Sequence, residues 1–358
     1  MKSPDCGLIV PQVAYDCECG HDFKPGVPRA AGTGASVGPA ASFPLGNPMF
    51  HGTGGSLMKI HIVNLLLTLV TLGFYSFWAK VKVRKYFYNE TEVGGDRFDY
   101  HGTGKELMIG WLKVSVVFIV VFGAMGAMQV IWRGPMSELL ANLVFYAGLL
   151  FLVPVAIVGS RRYRLSRSSW RGIRFSFRGH AKEFIRIFTP GALLSVVTLG
   201  LYTPYFDNKV REYLIDHSYF GTRKFNYDGQ GSELFGPYLK ASLLLFPTLG
   251  LYWFWFTAWK QRYYWSHTSF EGLRFSSDVT GGGLLGLSLG NFALLVFTLG
   301  LAWPWVLVRN AQYTMDHLAV QGSVDLSAIE QEAQAASATG EGMAEFLDTG
   351  LLDADVGI

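Results

Sequence analysis

Six stretches of the chain are apolar over about the twenty residues that cross a bilayer. They run approximately Leu57–Ala79, Leu107–Trp132, Leu139–Gly159, Phe184–Phe206, Leu234–Ala258 and Leu284–Val308. Residues 114–132 and 139–159 carry no charge at all, and the polar turn from Arg133 to Glu138 separates them, so this pair predicts a helical hairpin. The other four stretches share an interruption: Thr-Leu-Gly at 71–73, 198–200, 248–250 and 298–300, followed by aromatics or proline. Between the stretches lie short pieces such as Arg97-Phe98-Asp99-Tyr100, Arg174-Phe175-Ser176-Phe177 and Lys224-Phe225-Asn226-Tyr227. Apolar residues two apart in these pieces predict short strands with one buried face.

These features recur at a fixed step, which is the mark of a repeat-built protein. HGTG stands at 51–54 and again at 101–104. Tyr213, Tyr263 and Tyr313 are fifty residues apart, as are His217, His267 and His317, and Phe175, Phe225 and Phe275. Tyr86 joins the series if the second unit carries 27 extra residues, because Tyr86 to Tyr163 and Phe98 to Phe175 are both steps of 77. The expected fold is an all-α polytopic membrane protein with short β-pieces between units. It has five repeats of about 50 residues, starting near 50, 100, 177, 227 and 277, and six apolar membrane segments. Each unit closes on a basic, aromatic helix such as Lys80–Tyr86 or Trp259–Tyr264.

The HGTG opening, the Thr-Leu-Gly interruption and the basic Tyr-Phe or Tyr-Tyr tail resemble the YjgN-like bacterial inner-membrane proteins, a family of unknown function. The resemblance covers about residues 49–322 and implies a multi-pass protein of the bacterial inner membrane. It defines no catalytic residue to carry over. The fifth unit departs from the pattern, with Ser277 in place of the aromatic and Ala302 in place of tyrosine.

Composition agrees with a lipid environment. Half of the residues are hydrophobic and 16% are charged, against about 25% in soluble domains. The net charge of +3 says little about nucleic acid, and none is expected as a partner. The basic, aromatic helices sit beside apolar segments, which favours anionic lipid headgroups. Two topologies stay open. Six spans could alternate across the membrane, or the four Thr-Leu-Gly segments could be re-entrant hairpins turning at Gly73, Gly200, Gly250 and Gly300. The second leaves Arg133 as the one basic residue between segments on the far side, fits the excess of Lys and Arg in cytoplasmic loops, and is favoured here. It places the N-terminus in the cytoplasm.

The ends differ from the repeats. Residues 1–23 resemble a short zinc ribbon, with Cys6-Gly7 and Cys19-Gly20 at the second halves of two knuckles and Ser3 in the place of the first cysteine. Tetrahedral zinc takes four ligands, and Cys6, Cys17, Cys19 and His21 make a candidate set. The rival reading is a degenerate ribbon without metal. Residues 24–48, rich in Pro, Gly, Ala and Ser, read as a flexible linker, and 323–358 as an acidic, mostly disordered tail.

No enzyme signature emerges. Gly286-Leu287-Ser288-Leu289-Gly290 matches the hydrolase elbow only outside its strand–turn–helix context. Gly282, Gly286 and Gly290 instead form a four-residue series that would let membrane helices approach closely. The glycines of HGTG are expected to supply backbone freedom for a turn. Lys113 and Lys240, at equivalent positions inside apolar segments, are candidate functional charges or snorkelling side chains. His217, His267 and His317 read as helix-end residues more readily than as a shared metal site. The expected role is structural, scaffolding or transport-related, with a small-solute permease or channel formed by the repeats as the alternative. Zinc at the N-terminal segment is the one cofactor considered.

Overall fold

In the computed structural model, residues 43–44, 46–131, 134–325 and 329 are described. The unit that recurs is a pair of helices followed by a strand hairpin. After β1 (Phe43–Pro44) and β2 (Met49–Phe50), helices α1 (Gly54–Val70) and α2 (Ser76–Glu90) lead to β3 (Thr91–Val93) and β4 (Asp96–Tyr100). Helices α3 (Gly104–Ile131) and α4 (Pro135–Ser166) lead to β5 (Ser168–Trp170) and β6 (Ile173–Phe177). Next come α5 (Ala181–Val197), α6 (Thr203–Asp216), β7 (Ser218–Phe220), β8 (Arg223–Lys224) and β9 (Asn226–Tyr227). Helices α7 (Gly231–Leu244) and α8 (Tyr252–Ser266) precede β10 (Thr268–Phe270) and β11 (Leu273–Ser277). The last group is α9 (Gly281–Phe297), α10 (Trp303–Asp316), β12 (Leu318–Gln321) and β13 (Ser323–Val324).

The Thr-Leu-Gly tripeptide makes the turn in four of these helix pairs. Each threonine hydroxyl donates to the carbonyl four residues back, as Thr71 Oγ1 to Leu67 O at 2.7 Å and Thr248 Oγ1 to Leu244 O at 2.6 Å. The same oxygen accepts from the amide four residues ahead, Tyr75 N at 2.9 Å and Tyr252 N at 3.1 Å. One side chain thus satisfies orphan groups of the helix that ends and the helix that begins. Each glycine amide reaches back five residues to a carbonyl, for example Gly200 N to Ser195 O at 2.7 Å, which is a Schellman closure. The closure needs the left-handed backbone, with φ from +83° to +94° at the four glycines. The leucines before them also sit at φ near +50°, a cost for a bulky residue. Their side chains are 90–95% exposed.

The two helices of each such pair run back along one another. Asn64 Nδ2 donates to Ala79 O at 3.4 Å, and Asn291 Nδ2 to Asn310 Oδ1 at 2.7 Å. At the same repeat position Gly191 lies directly against Phe206, and Ala241 is fully buried. A small or amide side chain seven residues before the turn therefore marks where the helices touch.

The strands gather on one face, beyond the open ends of the hairpins. Successive hairpins pair antiparallel in one register, Tyr100↔Ser168, Phe177↔Ser218, Tyr227↔Thr268 and Ser277↔Leu318. Gly94-Gly95, Arg171-Gly172 and Glu271-Gly272 have positive φ at both residues, the conformation of type I′ turns. The phenylalanines spaced at fifty meet in a common core. Phe175 and Phe220 are 4.8 Å apart, Phe225 and Phe270 4.5 Å, and Phe98 stacks on Phe175 at 6.2 Å.

The two ends of the described chain also meet. Helix α1 packs on α10, and β1 pairs with β13 through Phe43↔Val324 and Pro44↔Ser323. These strands fall inside the stretches read as linker and tail, so the folded region reaches further than the repeat pattern suggests. The reason is that backbone pairing requires no particular side chains.

Candidate functional site

Two surfaces carry the chemistry: apolar hairpin tips at one end, and a basic, aromatic end where the strands lie. The tips expose Val70, Leu72 and Phe74, then Val196, Val197 and Leu199, then Phe246 and Leu249, and finally Phe297 and Leu299. Among the described residues, two helical stretches are long and apolar enough to cross a membrane, Gly104–Gly123 and Glu138–Ser166. The remaining four apolar stretches fold back at Thr-Leu-Gly. Apolarity summed over a window does not distinguish a span from a hairpin, because the turn is itself apolar.

At the strand end, a repeated tyrosine ties the feet of three hairpins together. Tyr86 Oη accepts from Thr53 N at 2.6 Å and donates to Thr53 O at 2.9 Å. Tyr213 does the same to His180 at 2.7 and 2.9 Å, and Tyr263 to Gln230 at 2.6 and 3.1 Å. Thr53, His180 and Gln230 are the N-cap residues of α1, α5 and α7, so each phenol satisfies both backbone groups of a cap 33 residues earlier. Burial, with Glu233 beside it, pushes the Tyr263 phenol up to about 12, so it stays a neutral donor near pH 7. The fifth tyrosine differs. Tyr313 Oη is buried with no hydrogen-bond partner, and Thr280 caps α9 itself by accepting from Gly283 N at 3.1 Å. Tyr263→Phe is therefore expected to cost about 1–3 kcal/mol by orphaning the Gln230 cap, while Tyr313→Phe costs nothing measurable. Thermal unfolding of the two variants in detergent checks this, and equal midpoints would refute the clamp.

The histidines sit where the helices end. His217, His267 and His317 are the C-cap residues of α6, α8 and α10. Their Nδ1 atoms lie 2.8, 2.8 and 2.9 Å from the tyrosine carbonyls four residues back, which can only accept. Each ring lies 4.1 Å from that tyrosine ring. His51 contacts Glu92 at 2.9 Å and His101 contacts Ser169 at 2.7 Å. Among the described residues, no group of three or more metal-ligating side chains comes together. Cys6, Cys17, Cys19 and His21 lie outside the described residues.

The glycines differ in what they approach among the described residues. Among the described residues, a Cβ at Gly282 or Gly286 would meet nothing within 4 Å, and at Gly290 its nearest neighbour would be the Arg309 guanidinium at 3.2 Å. No described helix packs closely on that face of α9, since the spacing places three glycines on one face without saying what the face meets. The close approaches are elsewhere. The first residue of four leading helices abuts an aromatic of another pair: Gly104 on Trp78, Gly231 on Tyr205 and Gly281 on Trp255 of the preceding pair, and Gly54 on Trp305 of the last pair. In HGTG, Gly54 and Gly104 are thus needed for space. Neither they nor Gly52 and Gly102 adopt positive φ.

Of the two intramembrane candidates, Lys113 is exposed on α3, and Lys240 on α7 lays its ammonium 5.6 Å from the Tyr252 ring centre. A cleft of about 120 Å³ between α6, α7 and α8 includes Asp207 and Lys260, which are joined at 3.1 Å. Pattern reading missed the bidentate pair at the base of α3 and α4. There Arg167 reaches Glu106 at 2.6 and 3.2 Å, and Tyr163 donates to the same carboxylate at 2.9 Å. Glu106 three residues after Thr103 was its one visible signal.

The structure is thus mostly helical, with short strands and two candidate membrane spans. Residues 47–254 and 241–346 match the family described as a bacterial protein of unknown function, DUF898, and the chain belongs to that family. It is 34% identical over 154 residues to the inner membrane protein YjgN of Escherichia coli strain K12, which covers 42% of this chain and 36% of that one. It is 32% identical over 130 residues to YjgN of Salmonella typhimurium, covering 36% and 31%. The chain spans about a third of the length of the curated relatives it matches. No solved structure matches it.

Proposed function

We propose that this chain is an inner-membrane scaffold of five helix-pair units closed into a ring, four of which dip into the cytoplasmic leaflet while the second crosses the bilayer. The observation that carries this reading is the helical hairpin with its feet tied on the strand side and its exposed apolar tip on the other. From Ile62 to Leu72 the exposed apolar surface of α1 and its turn rises by ten residue steps. At about 1.5 Å per residue that is roughly 15 Å, half of a hydrocarbon core about 30 Å thick. Helices α3 and α4, with 28 and 32 residues, are long enough to cross. The inserted 27 residues of the second unit thus convert a half-depth hairpin into two spans, and each basic helix end then faces the same anionic headgroups. The relatives' designation as inner membrane proteins supports the compartment.

The protein should resist carbonate extraction. In a cysteine-free background, single cysteines at the exposed positions Lys182, Thr222 and Asp278 should all be protected from an impermeant thiol reagent in intact cells, while one at Met136 reacts. Six alternating spans would instead place Thr222 outside and Lys182 and Asp278 inside. Labelling at Thr222 alone among the three would refute the leaflet-deep hairpins.

A further inference from the structure

Asp207 on α6 and Lys260 on α8 belong to different helix pairs, and their side chains join across the junction at 3.1 Å. Counted from the repeated tyrosine, the place of Asp207 is held in the other units by Lys80, Ile157, Thr257 and Leu307. The place of Lys260 is held by Val83, Ser160, Val210 and Asn310. At two other junctions the corresponding residues are apolar and share a cluster, Ile157 with Val210 and Leu307 with Val83. Opposite charges thus stand where the repeat packs apolar side chains. With side chains 39% and 22% exposed, the pair holds the units together only weakly, so packing gives no reason for it.

The pair borders the cleft of about 120 Å³ between α6, α7 and α8, whose other walls are largely aromatic. Trp253 lies 5.2 Å from Phe256 between ring centres, and Tyr238 lies 6.3 and 5.8 Å from the same two rings. The Lys260 ammonium stands 5.4 Å from the Tyr264 ring centre. Aromatic faces beside a carboxylate attract an organic ammonium, a role that Lys260 now fills. Phe256 is buried and Trp253 exposed, so the aromatic surface runs from the interior to the outside. A space of this size holds several water molecules, or a group of a few heavy atoms. A simple cation arriving at Asp207 would leave Lys260 without its partner, and a simple anion at Lys260 would do the same to Asp207. A solute that carries both charges exchanges one pair for two and orphans neither.

We propose that this cleft binds a small zwitterion, an ammonium a few bonds from an oxyanion, carried by a lipid headgroup or free in solution. The ammonium takes the Asp207 carboxylate and the aromatic faces. Lys260, a point charge on a flexible stem, turns to the oxyanion. The lipid source rests on the membrane reading above and the free solute does not, so the two readings can fail separately.

The test uses the purified full-length protein in detergent. Free phosphoethanolamine, short-chain phosphatidylethanolamine, short-chain phosphatidylglycerol and ethylammonium are titrated separately. Thermal midpoint and tryptophan fluorescence are the readouts, since Trp253 lines the cleft. Phosphoethanolamine, free or as a headgroup, should raise the midpoint and shift the fluorescence saturably. It should do so at concentrations at least tenfold below those of phosphatidylglycerol, which lacks the ammonium, and of ethylammonium, which lacks the oxyanion. Asp207→Asn and Lys260→Gln should each weaken the response at least tenfold. Asp207→Ile combined with Lys260→Val restores the apolar pair of the neighbouring junction, so it should keep the midpoint of the unliganded protein and lose the response. Arg309→Gln, an exposed cation on α10, should leave the response unchanged. A response to the lipid at far lower concentration than to the free compound assigns the site to a headgroup, and comparable responses assign it to the free solute. No saturable response to either in the wild-type protein overturns the proposal, as does an equal response to phosphatidylglycerol or ethylammonium. An undiminished response in the double variant overturns it too, and if that variant does not fold, an undiminished response in Asp207→Asn does so alone.

Discussion

Replacing Gly104 with valine should all but abolish folded protein, whereas Gly286→Leu should leave yield and thermal stability unchanged. A Cβ at Gly104 would stand 2.6 Å from Trp78 Cγ and 2.8 Å from Trp78 Cα. A side-chain atom can rotate away, but a Cα on α2 moves only with its helix. Overpacking ordinarily costs about 1–3 kcal/mol, occasionally more, and obstruction by backbone puts this site at or above the upper end. The same contact recurs where Gly231 faces Tyr205 Cα at 2.8 Å and Gly281 faces Trp255 Cα at 2.7 Å. A valine there forces apart two neighbouring helix pairs, not just one hairpin. Gly104→Ala should be milder yet still measurable, because the Cβ alone makes the clash. Folded yield by size-exclusion chromatography and midpoint in detergent decide between the sites. A large loss at Gly286 with none at Gly104 would reverse the assignment and put a helix seam on the face of α9.

Much of the helix and strand pattern was legible because it rests on local chemistry. Thr-Leu-Gly reads as an interruption, and it is the turn, because threonine can cap two helices and glycine can take positive φ. Phe175, Phe225 and Phe275, one step apart, belong to the shared core. Other features could not be read from spacing. Four-residue glycine periodicity names a face of α9 but not its neighbour. The glycines of HGTG serve close approach, which depends on aromatics 26 residues earlier, or on Trp305 near the far end of the chain. The meeting of the two ends left almost no trace, because β1 lies in a stretch dominated by Pro, Gly, Ala and Ser.

Phe50→Ala should lower the thermal midpoint by roughly 10 °C, given about 3–5 kcal/mol for truncating a buried phenylalanine and 2–4 °C per kcal/mol in a domain of this size. Phe50 is 8% exposed, and its cluster joins Leu57 of α1, Val83, Tyr86 and Phe87 of α2, and Val308, Leu307, Ala311 and Met315 of α10. Its ring stacks on Phe87 at 5.5 Å, and β2 pairs with β3 through Phe50↔Thr91. Two residues on, Gly52 O accepts from Gln312 Nε2 at 3.2 Å, a contact across 260 positions. In the repeat register Phe50 stands where Tyr100, Phe177 and Tyr227 stand, at the end of the strand that precedes a helix pair. One step beyond the last helix pair that place would fall near residue 327, yet α10 packs on β2. The first described strands thus complete the last described unit, and one aromatic ring at that junction bears on both. Loss of the ring should loosen α10 from α1 as well as lower the midpoint. Faster hydrogen exchange in both helices, with α5 and α6 unaffected, is the expected pattern. Met49→Ala, one residue earlier and 49% exposed, serves as the control. Equal small shifts in the two variants would show that β2 merely lies against the hairpins and does not close them.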